Sequence, residues 1–150
     1  MNPANEFRIR SLRPGEDSFI YSTFINGFVK NSISNLKHEP DRWKSIPPVF
    51  RTLPVPWLCT YYHDEMEQAL QEGQCIVAID PDDSILIGYA VFRPKPASLV
   101  WTYAKPEFKE YGIEHLLIKA CGFERERHVF LPFRTNGLSK LLREMGLREI

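Results

Sequence analysis

Cysteine is scarce in this sequence, long apolar runs are missing, and neither sign of charge prevails. The three cysteines, Cys59, Cys75 and Cys121, are odd in number and far apart. That arrangement suits neither a disulfide framework nor the paired ligand spacing of a zinc site. Each reads as a small reduced hydrophobe, which favours a reducing cytosol and a cytoplasmic location. No apolar stretch approaches the ~20 residues that span a bilayer. The start, Met1–Phe7, is polar and lacks a basic-then-apolar run, so no secretory signal is expected there. Nineteen Lys and Arg balance nineteen Asp and Glu, and basic residues are interspersed with acids, as in Glu124-Arg125-Glu126-Arg127. Nucleic acid and anionic membrane, which call for a basic patch, are therefore not expected as partners. Repeats and low-complexity tracts are also missing, so the 150 residues predict one domain.

What is present is 12 prolines and 13% aromatic residues, among them 10 phenylalanines. A chain of this length buries roughly 70% of its unfolded surface, enough for a single core. Phe7–Leu12 alternates apolar and basic residues and predicts a half-buried strand, ended by Pro14–Gly15. Glu16 and Asp17 then start a helix with an apolar stripe at Phe19, Ile20, Phe24 and Phe28. A weaker helical stretch covers Ser32–Lys37. Five prolines crowd 40–56, which predicts an irregular section, packed through Trp43, Ile46, Val49, Phe50 and Leu53. Trp57–Glu72 predicts a helix with Trp57, Tyr61, Met66 and Leu70 on one side and Gly73 as its stop. Strands are expected at Gln74–Ile79, Ser84–Phe92 and Ser98–Ala104, then a helix opened by Pro106 and breaking near Gly122. A strand at His128–Phe133, a helix at Thr135–Met145 and a strand stub at Leu147–Ile150 complete the chain. The order is β-α-α-β-β-β-α-β-α-β, an α/β class with a mixed sheet.

Four separated pieces of this order resemble the GNAT superfamily of acyl-CoA N-acyltransferases. Ile9-Arg10-Ser11-Leu12-Arg13-Pro14-Gly15-Glu16-Asp17 is similar to the family's opening strand and acidic helix start. Ile87-Gly88-Tyr89-Ala90-Val91 looks like its third strand. Tyr103-Ala104-Lys105-Pro106-Glu107-Phe108-Lys109-Glu110-Tyr111-Gly112-Ile113-Glu114 sits where the family has a strand, a proline-led loop, a phosphate-binding glycine loop and a helix. Asn136-Gly137-Leu138-Ser139 and Met145-Gly146-Leu147 keep the spacing of its last helix. The resemblance implies that acetyl-CoA lies between splayed fourth and fifth strands. Its amides would pair with the backbone of Trp101, Thr102, Tyr103 and Ala104. Lys109, Tyr111, Gly112 and Ile113 would receive the pyrophosphate at a helix N-terminus, where unpaired N–H groups and the dipole favour anions. Asn136 would complete the cofactor set. An acyl acceptor amine must lose a proton and the thiolate must gain one; Tyr103 and His128 are the candidate groups. No metal ligands are expected. His63-Asp64-Glu65 looks like an acid-base or metal cluster, but neighbours in a helix do not share a face, so a solvated surface is the reading kept.

The chain departs from the family's pattern in three places. In the loop, written Gln/Arg-x-x-Gly-x-Gly/Ala, Lys109 takes the first position and Gly112 is kept, but the last small residue is Glu114. Glu110 adds a second carboxylate. At ~5 Å and an effective dielectric of ~20 each like-charge pair costs on the order of 3 kcal/mol before screening, against at most about 2 kcal/mol from the helix dipole. Both acids read as solvated helix-start residues that weaken acetyl-CoA binding. Leu142 stands six residues after Asn136, where the family has its proton-donating tyrosine. Finally, only Leu147–Ile150 stands where the family has two more strands, which predicts unpaired sheet edges and a protein partner or second copy docked there. Two functions follow. One is an acetyl-CoA-dependent N-acyltransferase on a small-molecule or protein amine, its acceptor site shaped by 40–56. The other is a catalytically inactive interaction or structural module, of a kind that viral or mobile-element genomes carry.

Overall fold

A computed structural model describes residues 6–33, 53–123 and 128–150, with backbone only at 31–33. Most of the expected proline-rich section, along with 34–37 and Glu124–Arg127, lies outside them. Strand β1 (Arg8–Ser11) pairs antiparallel with β2 (Gln74–Ile79), β2 with β3 (Leu86–Arg93) and β3 with β4 (Ser98–Ala104), giving the order β1-β2-β3-β4. The apolar runs of β3 and β4 are nearly continuous because these strands are covered on both faces, whereas β1 alternates. Strand β3 begins two residues later than its apolar composition suggests, since Asp80 folds the preceding turn around itself. Its carboxylate accepts the N–H groups of Ser84 and Ile85 at 2.7 and 2.9 Å.

The two faces of β3 point to different helices. Tyr89 sends its hydroxyl to Thr23 Oγ1 at 2.7 Å, on helix α1 (Asp17–Phe24). Gly88 faces the other way, and a Cβ there would meet the Tyr103 carbonyl oxygen and Ile113 Cγ2 of helix α3 (Ile113–Ala120). Only glycine permits that approach of strand and helix. Beyond Phe24, α1 widens into a π-helical stretch, Ile25–Ile33, which keeps Phe28 and Val29 buried. Phe24 lies 5.5 Å from Phe28, 5.3 Å from Trp101 and 5.1 Å from Phe133. Such pairs contribute about 0.5–1.5 kcal/mol each beyond the area buried, which accounts for the phenylalanine-rich composition.

Helix α2 (Val55–Glu72) starts inside the section expected to be irregular through Pro56. Pro54 caps it and Pro56 lies in its first turn, where the missing N–H costs nothing. Its buried stripe is Leu58, Tyr62, Met66 and Ala69 rather than the expected Trp57, Tyr61, Met66 and Leu70. The two stripes share Met66; the observed one lies a residue later at Leu58 and Tyr62 and a residue earlier at Ala69. Trp57 stays half exposed, stacked on Tyr61 at 5.9 Å.

The expected helix at Pro106 is two pieces. Pro106–Tyr111 is a 3₁₀ turn, Gly112 adopts a left-handed φ of 68°, and α3 starts only at Ile113. The expected strand at His128–Phe133 shortens to β5 (His128–Val129) plus a bridge at Phe130. Helix α4 (Asn136–Glu144) follows, capped by Thr135. The last strand, β6 (Arg148–Glu149), pairs parallel with β5 itself, so the edge of β5 expected to lack a partner is occupied by the chain's own end. At the far corner, Arg10 forks onto Glu16 at 2.8 and 2.7 Å and reaches Asp83 at 3.0 Å. The Arg10 guanidinium holds the Glu16 carboxyl down at about 2, tying β1 to the start of α1.

Candidate functional site

Strands β4 and β5 touch at one end only. Leu99 N–H donates to Phe130 O at 3.0 Å and Phe130 N–H to Ala97 O at 2.9 Å. Past that bridge β4 runs on through Trp101–Ala104 as the last strand of its sheet, with no strand neighbour beyond it among the described residues. A bulge helps them part: Trp101 pairs with Val91 and Leu99 with Phe92, leaving Val100 extra. The chain then turns at Lys105, whose N–H donates to Ile87 O at 2.8 Å, and reaches the N-terminus of α3 through Gly112. No side chain caps that end, and a Cβ at Gly112 would touch nothing within 4 Å. The site thus consists of an unshared strand edge leading to an uncapped helix start.

The residues expected there are distributed as follows. Trp101 is buried against Phe24 and Phe28, closing on Gly27 so that a Cβ there would sit 3.1 Å from the indole. Its Nε1–H has no partner among the described residues. Thr102 is buried and donates to Tyr89 O at 3.0 Å; Ala104 is buried too. Tyr103 is half-buried between Phe19 and Tyr89, at 5.8 Å from each. Burial, and then the charge of Glu107, push its phenol pKa up and keep it protonated. Lys109 is exposed, Ile113 is core, and Tyr111 is partly exposed against Phe7 at 6.0 Å. Backbone continuity therefore brings Trp101–Ala104 and Lys109–Ile113 to one end of the sheet.

Two residues fall elsewhere. His128 is exposed at the start of β5, on the other side of the Ser98–Phe130 bridge, and its backbone pairs with Arg148. At ~3.3 Å per residue it lies roughly 20 Å along the strands from Tyr103. Asn136 is exposed at the start of α4 and lines a separate hollow with Arg143 and Arg148. Leu142 is fully buried in the core, so its place on α4 is a packing position. Glu110 is exposed, as expected of a solvated acid, but Glu114 is not. Burial raises its carboxyl pKa, opposed by Lys109 and His115 and assisted by Glu144.

Sequence reasoning missed a second feature. A cleft of ≈ 400 Å³ is lined by Phe28, Tyr62, Glu65, Arg93, Val100 and Phe130, among others. Its walls come from the π-helical stretch after α1, from α2, β3 and β4, and from the segment after β5, so no local motif marks it. Nearby on α2, His63 and Asp64 come together with Glu67 rather than Glu65, their donor atoms within 4.8 Å of one another. His63 is stacked on Tyr21 at 4.1 Å, while Glu65 accepts a hydrogen bond from Tyr61.

No family model and no curated protein sequence matches the chain. Solved structures do. One, from Corynebacterium glutamicum, is described as histone acetyltransferase HPA2 and related acetyltransferase. It aligns over 93% of this chain and 83% of its own at 14% identity, with a TM-score of 0.51. A spermidine N-acetyltransferase from Vibrio cholerae, in complex with CoA and spermine, aligns over 95% of this chain and 80% of its own. There the identity is 18% and the TM-score 0.45.

Proposed function

From a chain that has the fold of the GNAT acyltransferases, we propose that this protein is an acyl-CoA-dependent N-acyltransferase. One observation carries the reading: an unshared β4 edge ends at a helix N-terminus that begins on a left-handed glycine and has no side-chain cap. That combination suits a ligand with amides along its length and a pyrophosphate at its end. Acetyl-CoA, when bound, supplies an activated thioester. The backbone of Trp101–Ala104 would hold its amides, and the N–H groups after Gly112, with Lys109, its phosphates. Half-buried Glu114 sets a carboxylate beside the phosphate end, which opposes that binding without blocking it.

Tyr103 is the proton donor of this reading. Its phenol lies on the strand that would hold the thioester and carries a proton at neutral pH that it could give to the departing thiolate. His128 has no part in it, being beyond the strand bridge. Calorimetric titration with acetyl-CoA tests the binding: heat at high-micromolar concentration supports it, and none removes it. Tyr103→Phe then lowers kcat for an amine acceptor about 10- to 100-fold while leaving the KM for acetyl-CoA unchanged.

A second reading, a non-catalytic interaction module, is favoured by the burial of Leu142 and by Glu114 in the phosphate loop. Its partner would dock on the outer edge of β6. Light scattering that finds an assembly, together with no heat from acetyl-CoA, would select it.

A further inference from the structure

Spacing along α2 decides which of its polar side chains can meet. His63 and Glu67 are four residues apart, and Asp64 and Glu67 three apart, so Glu67 is the helical neighbour of both. Their donor atoms lie within 4.8 Å of one another, and His63 Nδ1 is 3.8 Å from Asp64 Oδ1. In a tetrahedral zinc site with bonds of ~2.1 Å, donor atoms stand ~3.4 Å apart. Small side-chain rotations therefore bring all three onto a single ion. Glu65 is occupied elsewhere, by the Tyr61 hydroxyl.

An imidazole sets this cluster apart from an ordinary acidic surface. The His63 ring is held in place, stacked on Tyr21 of α1 at 4.1 Å and 27°. Glu67 approaches the same tyrosine, since its charge, after burial, pushes the Tyr21 phenol pKa up. Both carboxylates lack a Lys or Arg partner among the described residues, and the one counter-group of Asp64 is His63 itself. Like charges at this helical spacing repel, and a cation between them removes that repulsion. Beside His63 and Asp64 a hollow of ≈ 390 Å³ opens, walled by Ile25, Cys59 and Thr60. It leaves room for water to complete a coordination shell. One ring nitrogen and two carboxylates suit zinc and its divalent transition-metal neighbours, whereas magnesium and calcium prefer oxygen donors alone.

We propose that His63, Asp64 and Glu67 form a binding site for a divalent transition-metal ion, zinc in the first instance, with water in the remaining position. The site stands apart from the acyltransfer reading, because none of its ligands belongs to β4 or to the start of α3. A bound ion stabilises the folded chain, in which alone the three donors and Tyr21 are assembled.

Calorimetric titration of the metal-free protein with zinc chloride, in a buffer that does not chelate the ion, tests the site. One zinc per chain is expected, with a higher melting temperature by circular dichroism. Magnesium chloride and calcium chloride are expected to bind at least about 10-fold more weakly. His63→Gln and Glu67→Gln should each weaken zinc at least about 10-fold, since loss of even an outer-shell partner costs that much. Asp64 and Glu67 are exposed and His63 is partly so, and circular dichroism without metal checks that the variants fold. Glu65→Gln, on the same helix but outside the cluster, should leave zinc binding unchanged. Cys59→Ser should leave it unchanged as well. Absence of heat from zinc overturns the assignment, as does zinc held no tighter than magnesium. Full binding by Glu67→Gln, or binding lost in Cys59→Ser, overturns the ligand set.

Discussion

Helices α3 and α4 both follow strands, and they begin in opposite ways. At α4, Thr135 is extended and its Oγ1 accepts the N–H of Leu138 at 3.1 Å, so the protein satisfies its own helix end. At α3, the cap is Gly112 in the left-handed region and no side chain reaches back. The first-turn acid there, Glu114, is held against its preference by burial. Leu138 and Leu142 carry α4 into the core, and Ile113 and Leu117 do the same for α3, so the helices are equally well packed. What separates them is the unfinished end. An uncapped N-terminus leaves its first N–H groups without a side-chain acceptor, and a capped one does not.

The largest expected effect comes from breaking the contact that seats α3. Gly88→Val drives a side chain into the Tyr103 carbonyl and Ile113, with about 3 kcal/mol or more lost. A fall in melting temperature of roughly 10 °C, measured by calorimetry or circular dichroism, would show it. Next comes a matched pair of helix-start substitutions, each costing about 1 kcal/mol. Thr135→Ala removes the cap of α4, and Gly112→Ala forces a Cβ into φ 68° at α3. Urea unfolding should find similar losses for both, whereas acetyl-CoA titration should weaken for Gly112→Ala alone. Equal acetyl-CoA binding by the two variants would dissolve the functional contrast between the helices.

The smallest effect sharpens the comparison through pH. Burial raises the folded-state pKa of Glu114, so the folded protein holds that proton more tightly than the unfolded chain does. Stability is then lost as pH rises from the ordinary carboxylate range through the raised value. Glu114→Gln is expected to raise the melting temperature by about 1–2 °C at pH 7, with the difference closing near pH 4. It should also tighten acetyl-CoA several-fold by removing a negative charge from the phosphate end. A pH-independent difference between Glu114→Gln and wild type would mean that the carboxyl titrates normally.

Strand positions were legible because alternation and apolar runs report burial directly. Gln74–Ile79 and Ser98–Ala104 are the expected residues without change. The Lys109–Gly112 loop was legible through its resemblance, because a left-handed turn before a helix selects glycine. Other features were not. At its start α2 buries Leu58 and leaves Trp57 half exposed, since periodicity fixes a stripe's spacing but not which partner it meets. Leu142 read as a lost proton donor, yet it is a core residue. His128 read as a cleft residue, and the strand bridge at Phe130 puts it on the closed side.

By itself, then, the sequence determined the order of elements, the positions of the sheet strands and the glycine that starts α3, because each follows from neighbours within a few residues. Only the tertiary structure decided that β4 and β5 part after Phe130, that Glu114 is half-buried, and that Arg93 shares a cleft with Phe28 and Phe130. Those residues lie tens of positions apart in the chain. Strand register and the packing of α2 on the sheet bring them together, and neither is written in any local pattern.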